Sequence, residues 1–390
     1  MNFIRRLVNS SSKLLFKKRV AGIQYSIKNP QISQNKVFNK LIQGGLNTEW
    51  GQLFRFEKIK SYKDFKNQIP LQDYDSLKPY ILKMMNGASN VLWNEKIDWF
   101  AKSSGTTSDQ SKFIPVSKSN LHGCHLKGGR DALAIYYGQM PDSKIMQNYS
   151  MIMGGSLQPI SNNQNSYIGD VSAIMLHHLP KIGRPFFVPD IPTALIPDWE
   201  VKLEKFVNVA LSNPKIAMIA GVPTWTVVLF RKILQESGKK NMLEVWPHFE
   251  VYFHGGVSFL PYKNQFQNFF PGSGVCYRQV YNASEGYFAV QDQEDSDDML
   301  LLLSNGIFYE FIPYNKEINY HAAVIPLSEV EPGVNYIMVI TTNAGLWRYI
   351  IGDTVMFTSI SPFRIKITGR TKQFINAFGE EVILDNIEKA

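Results

Sequence analysis

The chain has 390 residues, of which 44% are hydrophobic and 13% aromatic, enough for one large compound domain or two domains. No window reaches the ~20 uninterrupted apolar residues that a membrane span requires. Two cysteines, Cys124 and Cys276, cannot form a disulfide framework, and they indicate a reducing, cytoplasmic compartment.

The positive charge is concentrated at the N-terminus. Residues 1–48 contain nine basic side chains and no acidic one, so subtracting +9 from the net charge of +8 leaves −1 for the remainder. A nearly neutral body argues against a broad nucleic-acid-binding surface. Basic starts of this kind also occur in transit peptides and membrane-surface helices. Because residues 20–46 form an amphipathic pattern that continues into the domain, we predict an N-terminal helix with a solvated basic face.

The first functional motif is the hydroxyl-rich segment Ser-Ser-Gly-Thr-Thr at 103–107, with Lys112 shortly after it. Such a loop can direct several N–H and O–H groups at one polyanion, as phosphate-binding loops do. It has neither the Walker spacing nor the Gly-x-Gly-x-x-Gly pattern of dinucleotide folds. A helix predicted over 120–138 would place the loop at a helix N-terminus. A serine-rich surface loop is the alternative interpretation.

Strands, glycine turns and helices then alternate along the chain. Strands are predicted over 149–153, 216–220 and 249–254, and they end in the turns Gly154-Gly155-Ser156, Gly221-Val222-Pro223 and Gly255-Gly256. Helices are predicted over 224–237 and 261–270. This alternation predicts a mostly parallel α/β sheet.

From about residue 275 the pattern becomes antiparallel. Residues 299–303 and 307–311 flank Ser-Asn-Gly, and residues 336–341 and 347–351 flank Thr-Asn-Ala-Gly. We predict two hairpins, in an antiparallel section that closes over the edge of the sheet. An acidic run over 292–298 lacks the glycine and glutamate spacing of a calcium loop, so we interpret it as a solvated turn.

Two acidic motifs complete the candidate site. Tyr-Asn-Ala-Ser-Glu at 281–285 follows a strand predicted over 275–280, and a carboxylate there faces the crevice in which α/β folds bind ligands. Beside a triphosphate, Glu285 would hold Mg²⁺. Arg-Tyr-Ile-Ile-Gly-Asp at 348–353 places Asp353 after a glycine turn, where it can accept ribose hydroxyls. Taken singly, a surface ion pair and a turn former remain the alternatives.

The three motifs and their order resemble those of the Gretchen Hagen family, the plant auxin-inducible acyl-acid amido synthetases, and particularly their bacterial relatives. That family has a Ser-Ser-Gly-Thr loop running into Lys-x-Ile-Pro, then Tyr-x-x-Ser-Glu, then Tyr/Trp-Arg-Tyr-x-x-Gly-Asp. The resemblance extends from Asn-Thr-Glu-Trp-Gly at 47–51 to Gly369-Arg370. It implies an α/β fold with a large adenylate-forming N-terminal domain and a small C-terminal lid, as in firefly luciferase and acyl-coenzyme A ligases.

The implied reaction has two steps and uses ATP and Mg²⁺ with a small carboxylic acid and an amino acid. The carboxylate attacks the α-phosphate to give an acyl-adenylate and pyrophosphate, and the amine then attacks the acyl carbon to give an amide and AMP. Catalysis of the first step consists largely of positioning and neutralising charge. Nucleic acid and a transmembrane segment are not expected. Two alternatives remain: an acyl-coenzyme A ligase, and a lidless protein that binds nucleotide or acyl-adenylate without turnover.

The resemblance also implies roles for the matching residues. Those expected to be catalytic are Glu285, Lys112 and Arg370, with Glu285 as the metal ligand and Lys112 alternatively bracing the loop. The remaining nucleotide contacts expected from the motifs are Ser103, Ser104, Gly105, Thr106 and Thr107 at the phosphates, Tyr281 and Ser284 at the adenine and α-phosphate, Asp353 at the ribose, and His254, Gly255 and Gly256 at the adenine turn. Candidates for the acyl pocket are Arg130, Gly155, Ser156, Val222 and Trp225, with Arg130 able to pair the substrate carboxylate.

The last residues resemble the superfamily hinge. Gly369-Arg370 and Gly-Glu-Glu-Val at 379–382 match the segment that joins the two domains, and 20 residues follow Arg370. The family's C-terminal domain continues for roughly a hundred residues. We therefore expect an adenylation domain over 1–368, and a hinge with the start of a C-terminal domain over 369–390, with the lid mostly absent.

Overall fold

The computed structural model describes residues 2–103, 111–160, 163–314, 324–371, 374–377 and 380–383. The α-helices of these ranges are α1 (Asn2–Lys28), α2 (Pro30–Gly45), α3 (Glu49–Leu53), α4 (Tyr62–Gln68), α5 (Tyr74–Met85), α6 (Lys118–Asn120), α7 (Leu126–Gln139), α8 (Val171–His177), α9 (Ile191–Ala194), α10 (Trp199–Ser212), α11 (Pro223–Ser237) and α12 (Lys263–Phe269). Within them, no helix is both long and apolar enough to span a bilayer.

The strands form one large sheet, one small sheet and a short hairpin. In chain order they are β1 (Trp99–Ser103), β2 (Lys112–Val116), β3 (Tyr149–Ile152), β4 (Leu157–Ile160), β5 (Asn163–Gly169), β6 (Phe187–Val188), β7 (Ile216–Gly221), β8 (Val251–His254), β9 (Cys276–Ala283), β10 (Gly286–Val290), β11 (Met299–Leu301), β12 (Ile307–Pro313), β13 (Ile325–Pro326), β14 (Asn335–Thr342), β15 (Tyr349–Ile360), β16 (Phe363–Arg370), β17 (Phe374–Ala377) and β18 (Glu380–Ile383).

The large sheet has twelve strands in the order β13-β12-β14-β15-β16-β11-β10-β9-β8-β7-β3-β6. The half from β6 to β9 is parallel, which confirms the α/β prediction, and the strands from β10 onward pair antiparallel. The antiparallel section therefore extends the same sheet, instead of closing over its edge as predicted.

The parallel strands are buried on both faces. Met218 and Val251 belong to one apolar cluster, which includes residues of α2, α5 and α7. Their chain neighbours Ile219 and Tyr252 belong to a second cluster, which includes residues of α10, α11 and α12. Successive side chains of a strand point to opposite faces, so helices cover this part of the sheet on both sides.

One of the two predicted hairpins is confirmed. Strands β14 and β15 pair antiparallel, with Ile340 opposite Tyr349. The other hairpin is wrong, because β11 pairs with β10 and β16 whereas β12 pairs with β13 and β14. The predicted turn at 304–306 does form, with Gly306 at φ +71°, but it connects two strands that have different neighbours.

The hydroxyl-rich segment is followed by a strand, and the predicted helix does not begin directly after it. Strands β1 and β2 pair antiparallel, with Ser103 opposite Lys112, so the segment between them joins two strands of the small sheet. The predicted helix is present, as α6, a π-helical turn over Leu121–His125 and α7. However, β2 separates this helix from the segment, because the apolar residues 113–116 extend as a strand.

The predicted N-terminal helix is confirmed, but its basic face is only partly solvated. Arg19 is paired with the buried carboxylate of Asp131 on α7, through its Nε and its Nη2. Arg5 is buried, and its guanidinium lies 4.0 Å from the ring centroid of Tyr149. Lys17 and Lys18 are exposed as predicted.

Candidate nucleotide site at the carboxyl edge of the sheet

The carboxyl ends of the parallel strands meet at one edge of the large sheet, where α/β folds bind ligands. Gly221, at the end of β7, is opposite His254, at the end of β8. Gly255 comes directly after β8 and lies against the neighbouring strand β9. A Cβ added to Gly255 would lie 2.4 Å from the carbonyl oxygen of Val280 on that strand. Gly256 has φ +83°, which favours glycine. The glycines of this turn are therefore required by close packing and backbone conformation.

Glu285 occupies the two-residue turn that joins β9 to β10. Ala283 pairs with Gly286, so Ser284 and Glu285 form the turn at the carboxyl end of β9. The Glu285 side chain is buried. Burial and the charge of Asp353 raise its pKa, while its own backbone N–H and the cations Lys112 and Arg370 lower it, and the net result is a pKa of about 7. The turn therefore holds a desolvated carboxyl group among charges of both signs.

Asp353 lies inside β15, so the predicted glycine turn before it is wrong. Gly352 has φ +92°, yet it continues the strand, because the pairing of β15 with β14 shifts register there without a chain reversal. The Asp353 carboxylate accepts hydrogen bonds from the hydroxyl of Tyr281 and, at 2.8 Å, from Nε of Arg370. Burial and this carboxylate raise the pKa of Tyr281 well above its ordinary value. A carboxylate has about four acceptor sites, so Asp353 retains capacity for a ligand hydroxyl.

Lys112 begins β2 and lies near Glu285, whose pKa its charge lowers. Its Nζ is 5.9 Å from the ring centroid of Tyr74. Ser103 is half-buried at the end of β1, directly opposite Lys112. The other predicted phosphate ligands, Ser104, Gly105, Thr106 and Thr107, lie outside the described residues.

His254 is a buried imidazole with an unused nitrogen. Its ring stacks on that of Phe259, with 4.0 Å between the ring centroids. Burial lowers the pKa of the imidazole to about 3. Within the described part of the chain, its Nδ1 has no hydrogen-bond partner. A buried polar atom without a partner at the ligand edge fits a site that a polar ligand completes.

The glycine turn after β3, which contains the predicted acyl-pocket residues Gly155 and Ser156, is held from two sides. Lys202 on α10 is buried, and its Nζ donates to the carbonyl oxygens of Gly154 at 2.9 Å and Gly155 at 3.0 Å. The carboxylate of Asp170 accepts from the N–H of Ser156 at 3.0 Å. These hydrogen bonds of the backbone groups of Gly154, Gly155 and Ser156 therefore fix the conformation of the turn.

The other acyl-pocket candidates have different surroundings. Val222 is at the N-cap of α11, and an added Cβ on Gly256 would lie 3.3 Å from its Cγ2, so it borders the nucleotide turn. Trp225 packs against Trp199 at 4.2 Å between centroids. Arg130 is exposed on α7 and donates from Nη2 to the carbonyl oxygen of His122 at 3.3 Å. Its assignment to the substrate carboxylate stays a prediction.

Sequence reasoning missed the segment Gln72–Tyr74, which connects the first and third motifs. Gln72 donates its N–H to the carbonyl oxygen of Arg348 at 3.0 Å and accepts from the N–H of Ile350 at 2.8 Å. The hydroxyl of Tyr74 accepts from the N–H of Phe113 at 2.9 Å. The available signal was Asp-x-x-Ser at 73–76, which forms the capping box of α5.

Arg348, the first residue of the third motif, has a structural role. Its guanidinium donates to both carboxylate oxygens of Glu310, with Nε to Oε2 at 3.0 Å and Nη2 to Oε1 at 2.9 Å. Nη1 donates to the carbonyl oxygens of Lys66 and Ile69. Arg348 and Glu310 are both buried, so this ion pair holds α4 against the antiparallel half of the sheet.

The comparisons with known proteins agree with the motifs at this edge of the sheet. A sequence model of the GH3 family N-terminal domain matches residues 19–275, and a model of the GH3 family central domain matches residues 300–370. The chain therefore belongs to the GH3 family. It is 22% identical over 427 residues to the indole-3-acetic acid-amido synthetase GH3.2 of Arabidopsis thaliana, which covers 90% of this chain and 76% of that relative.

Two solved structures share the fold. The acyl acid amido synthetase GH3.15 in complex with 2,4-DB superposes with a TM-score of 0.76 at 16% identity, covering 97% of this chain and 74% of that one. A 2-hydroxyisobutyryl-CoA ligase in complex with 2-HIB-AMP and CoA superposes with a TM-score of 0.56 at 13% identity, covering 91% and 72%. The expectation of an adenylate-forming α/β fold is thereby confirmed.

Proposed function

We propose that this chain is an ATP-dependent acyl-acid amido synthetase, which activates a carboxylic acid as its acyl-adenylate and transfers the acyl group to an amino acid. One observation supports it most. Glu285 and Asp353, from two distant motifs, converge with Lys112 and Arg370 at the carboxyl edge of the sheet. Membership of the GH3 family supports the same reaction, since the relatives it matches are named amido synthetases.

The proposed chemistry begins with nucleotide positioning. Asp353 accepts the ribose hydroxyls, while Tyr281 and Arg370 hold its carboxylate in place. The adenine packs on the turn at Gly255 and Gly256, where Nδ1 of His254, unpartnered among the described residues, can form a hydrogen bond with it. The half-buried Ser103 and the segment after it bind the phosphates.

Lys112 and Arg370 then neutralise charge as pyrophosphate leaves the α-phosphate. Positioning and neutralisation of this kind supply most of the acceleration in phosphoryl and adenylyl transfer. The leaving bond is that between the α-phosphorus and the bridging oxygen of pyrophosphate. The new bond joins a carboxylate oxygen to the same phosphorus, so no proton transfer is required in this half-reaction.

The donor set fits Mg²⁺. Glu285 is a buried carboxyl group, and among the described residues no group of three or more His, Cys, Asp or Glu side chains is arranged to hold a metal. Mg²⁺ is typically held by one or two carboxylates together with substrate phosphates, so a single glutamate suits it. When bound, the ion would withdraw charge from the phosphate oxygens.

The second half-reaction requires an acceptor, for which coenzyme A is the alternative to an amino acid. Coenzyme A stays an alternative acceptor because the chain shares its fold with a 2-hydroxyisobutyryl-CoA ligase. We further propose that residues 1–368 form the adenylation domain, and that 369–390 form a hinge with the start of a C-terminal domain. A cytoplasmic location agrees with the two free, buried cysteines.

Product analysis tests the proposal. Purified protein is incubated with ATP, Mg²⁺ and a panel of indole, benzoate and aliphatic acids, first without an acceptor and then with amino acids or coenzyme A. Acid-dependent exchange of pyrophosphate into ATP, followed by an amide product by mass spectrometry, is the expected result. A thioester with coenzyme A and no amide would establish the ligase alternative. Saturable ATP binding without exchange for any acid would contradict both enzymatic functions.

A further inference from the structure

The N-terminal half of the helix α1 is docked on the protein largely by polar side chains. Asn9 is 2% exposed, donates to the carbonyl oxygen of Ser143 and accepts from the hydroxyl of Tyr137 at 2.9 Å. Arg5 is 8% exposed and donates to the carbonyl oxygen of Gln147 at 3.2 Å. Polar side chains thus occupy much of the face that a surface helix ordinarily fills with apolar residues.

The outer side of α1 exposes several large apolar side chains. Leu14 is 72% exposed, Leu15 is 67% exposed, and Leu7 and Tyr25 are more than half exposed. Leu7, Leu14, Lys18 and Tyr25 follow at spacings of seven, four and seven, which places them on one line along the helix. This line is about 27 Å long at the rise of an α-helix. Exposed apolar residues aligned over such a length indicate an interaction surface.

The charge that α1 itself carries is entirely positive. Lys17, Lys18 and Lys28 are exposed, and no acidic residue precedes Glu49. The match to the GH3 family N-terminal domain model begins at residue 19, so Leu7, Leu14 and Leu15 precede the residues that this model matches.

We propose that the outer face of α1, formed by Leu7, Leu14, Leu15, Lys17 and Lys18, binds the surface of an anionic lipid bilayer. A helix that exposes leucines together with lysines lies in the interface plane, because the leucines enter the acyl boundary while the long lysine side chains let their ammonium groups stay at the headgroups. Anionic headgroups supply the complementary charge. Nucleic acid would pair with the lysines but leave the leucines in water, and a bilayer satisfies both.

Vesicle sedimentation tests the lipid surface. The full chain is mixed with vesicles of phosphatidylcholine alone or with added phosphatidylglycerol, and binding is expected to the anionic vesicles and to weaken with salt. Lys17→Gln with Lys18→Gln should lower the affinity by about 25-fold, at about fivefold per lysine. Leu14→Ser with Leu15→Ser should lower it by roughly tenfold or more. The controls are Lys239→Gln with Lys240→Gln and Leu260→Ser, exposed positions elsewhere, which should bind as the wild type does.

A depth measurement separates insertion from adsorption. Both native cysteines are free and buried, so Leu14→Cys and Leu260→Cys each offer one accessible thiol for an environment-sensitive fluorophore. Anionic vesicles should shift the emission of the label at position 14 to the blue and leave that at position 260 unchanged. The proposal is overturned if all variants bind vesicles equally or if no protein sediments. It is also overturned if the Leu14 and Leu15 changes abolish only self-association or duplex DNA binding.

Discussion

Asp353 and Arg370 face each other across the antiparallel strands β15 and β16, and Nε of the arginine donates to the aspartate at 2.8 Å. The opposite oxygen of the same carboxylate accepts from Tyr281, which lies in the second motif. Three residues that are far apart in the chain are therefore joined through one carboxylate. Asp353 is buried and Arg370 is partly exposed, so the carboxylate of this pair is largely desolvated while its cation contacts solvent.

Removing the charge of Asp353 should weaken ATP binding. Asp353→Asn keeps the shape of the side chain but turns a charged acceptor into a neutral one, which costs about 1.5–3 kcal/mol for a charged hydrogen bond. Calorimetry should show ATP affinity about 10- to 100-fold lower. Asp292→Asn is the matched control, because Asp292 pairs with Arg364 of the same strand β16 at 2.7 Å. Equal losses in both variants would contradict the ribose assignment.

Tyr74 should position β2 for nucleotide binding without contacting the nucleotide. Tyr74→Phe removes the acceptor of the Phe113 N–H, so the start of β2 beside Lys112 loses an anchor. We expect KM for ATP to rise by about three- to tenfold, with kcat and KM for the acid little changed. Tyr80→Phe, on the same helix and packed on Trp50, is the control. A fall in kcat with unchanged KM would show that Tyr74 acts elsewhere.

Lys202 should position the turn after β3. Lys202→Met keeps the aliphatic length but leaves the carbonyl oxygens of Gly154 and Gly155 without their donor, at a cost of about 1–3 kcal/mol. Because this turn borders the proposed acyl pocket, KM for the acid should rise and preference among acids should relax, with KM for ATP unchanged. Lys205→Met, exposed on the same helix, should behave as wild type. If Lys202→Met discriminates among acids as the wild type does, the turn does not border the acyl pocket.

The sequence predicts the strand ends of this site better than it predicts strand pairing. The turn after 216–220 was recognised because an apolar run followed by Gly-Val-Pro has a local cause in backbone conformation. The turn at Gly306 was equally recognisable, yet β11 and β12 pair with strands far away in the chain. Asp353 and Arg370 meet through the register of β15 and β16, and Lys202 reaches its turn from α10. Such contacts depend on tertiary packing, for which no local pattern exists.

The buried pair of Arg348 and Glu310 should be important for stability. Arg348→Met leaves the Glu310 carboxylate buried without its cation, which should lower the free energy of unfolding by about 3–5 kcal/mol in urea titrations. Adding Glu310→Leu should recover much of the loss, because the uncompensated charge is then gone. Lys232→Met breaks the exposed pair with Glu236 and should cost less than about 1 kcal/mol. A double variant no more stable than Arg348→Met would contradict this account.

Glu285 should make the protein less stable as the pH rises. Its pKa is about 7 in the folded chain against an ordinary value of 4.5, so between these values the folded state binds more protons than the unfolded state. Stability falls with rising pH wherever the folded state binds the extra proton. The contribution of this group is therefore fully favourable below about pH 4.5 and is lost as the pH passes through about 7.

Glu285→Gln isolates this contribution, because glutamine keeps the size of the side chain and does not ionise. The free energy of unfolding of the variant, relative to wild type, should increase by about 2.5 kcal/mol between about pH 5 and pH 8. Urea titrations at a series of pH values measure this difference, with Glu236→Gln, an exposed carboxylate on α11, as the baseline. Calorimetry on the same variant should show weaker Mg²⁺-dependent ATP binding. If the difference in free energy of unfolding between variant and wild type is the same at every pH, Glu285 is solvated. The description of Glu285 as a buried carboxyl group would then be wrong.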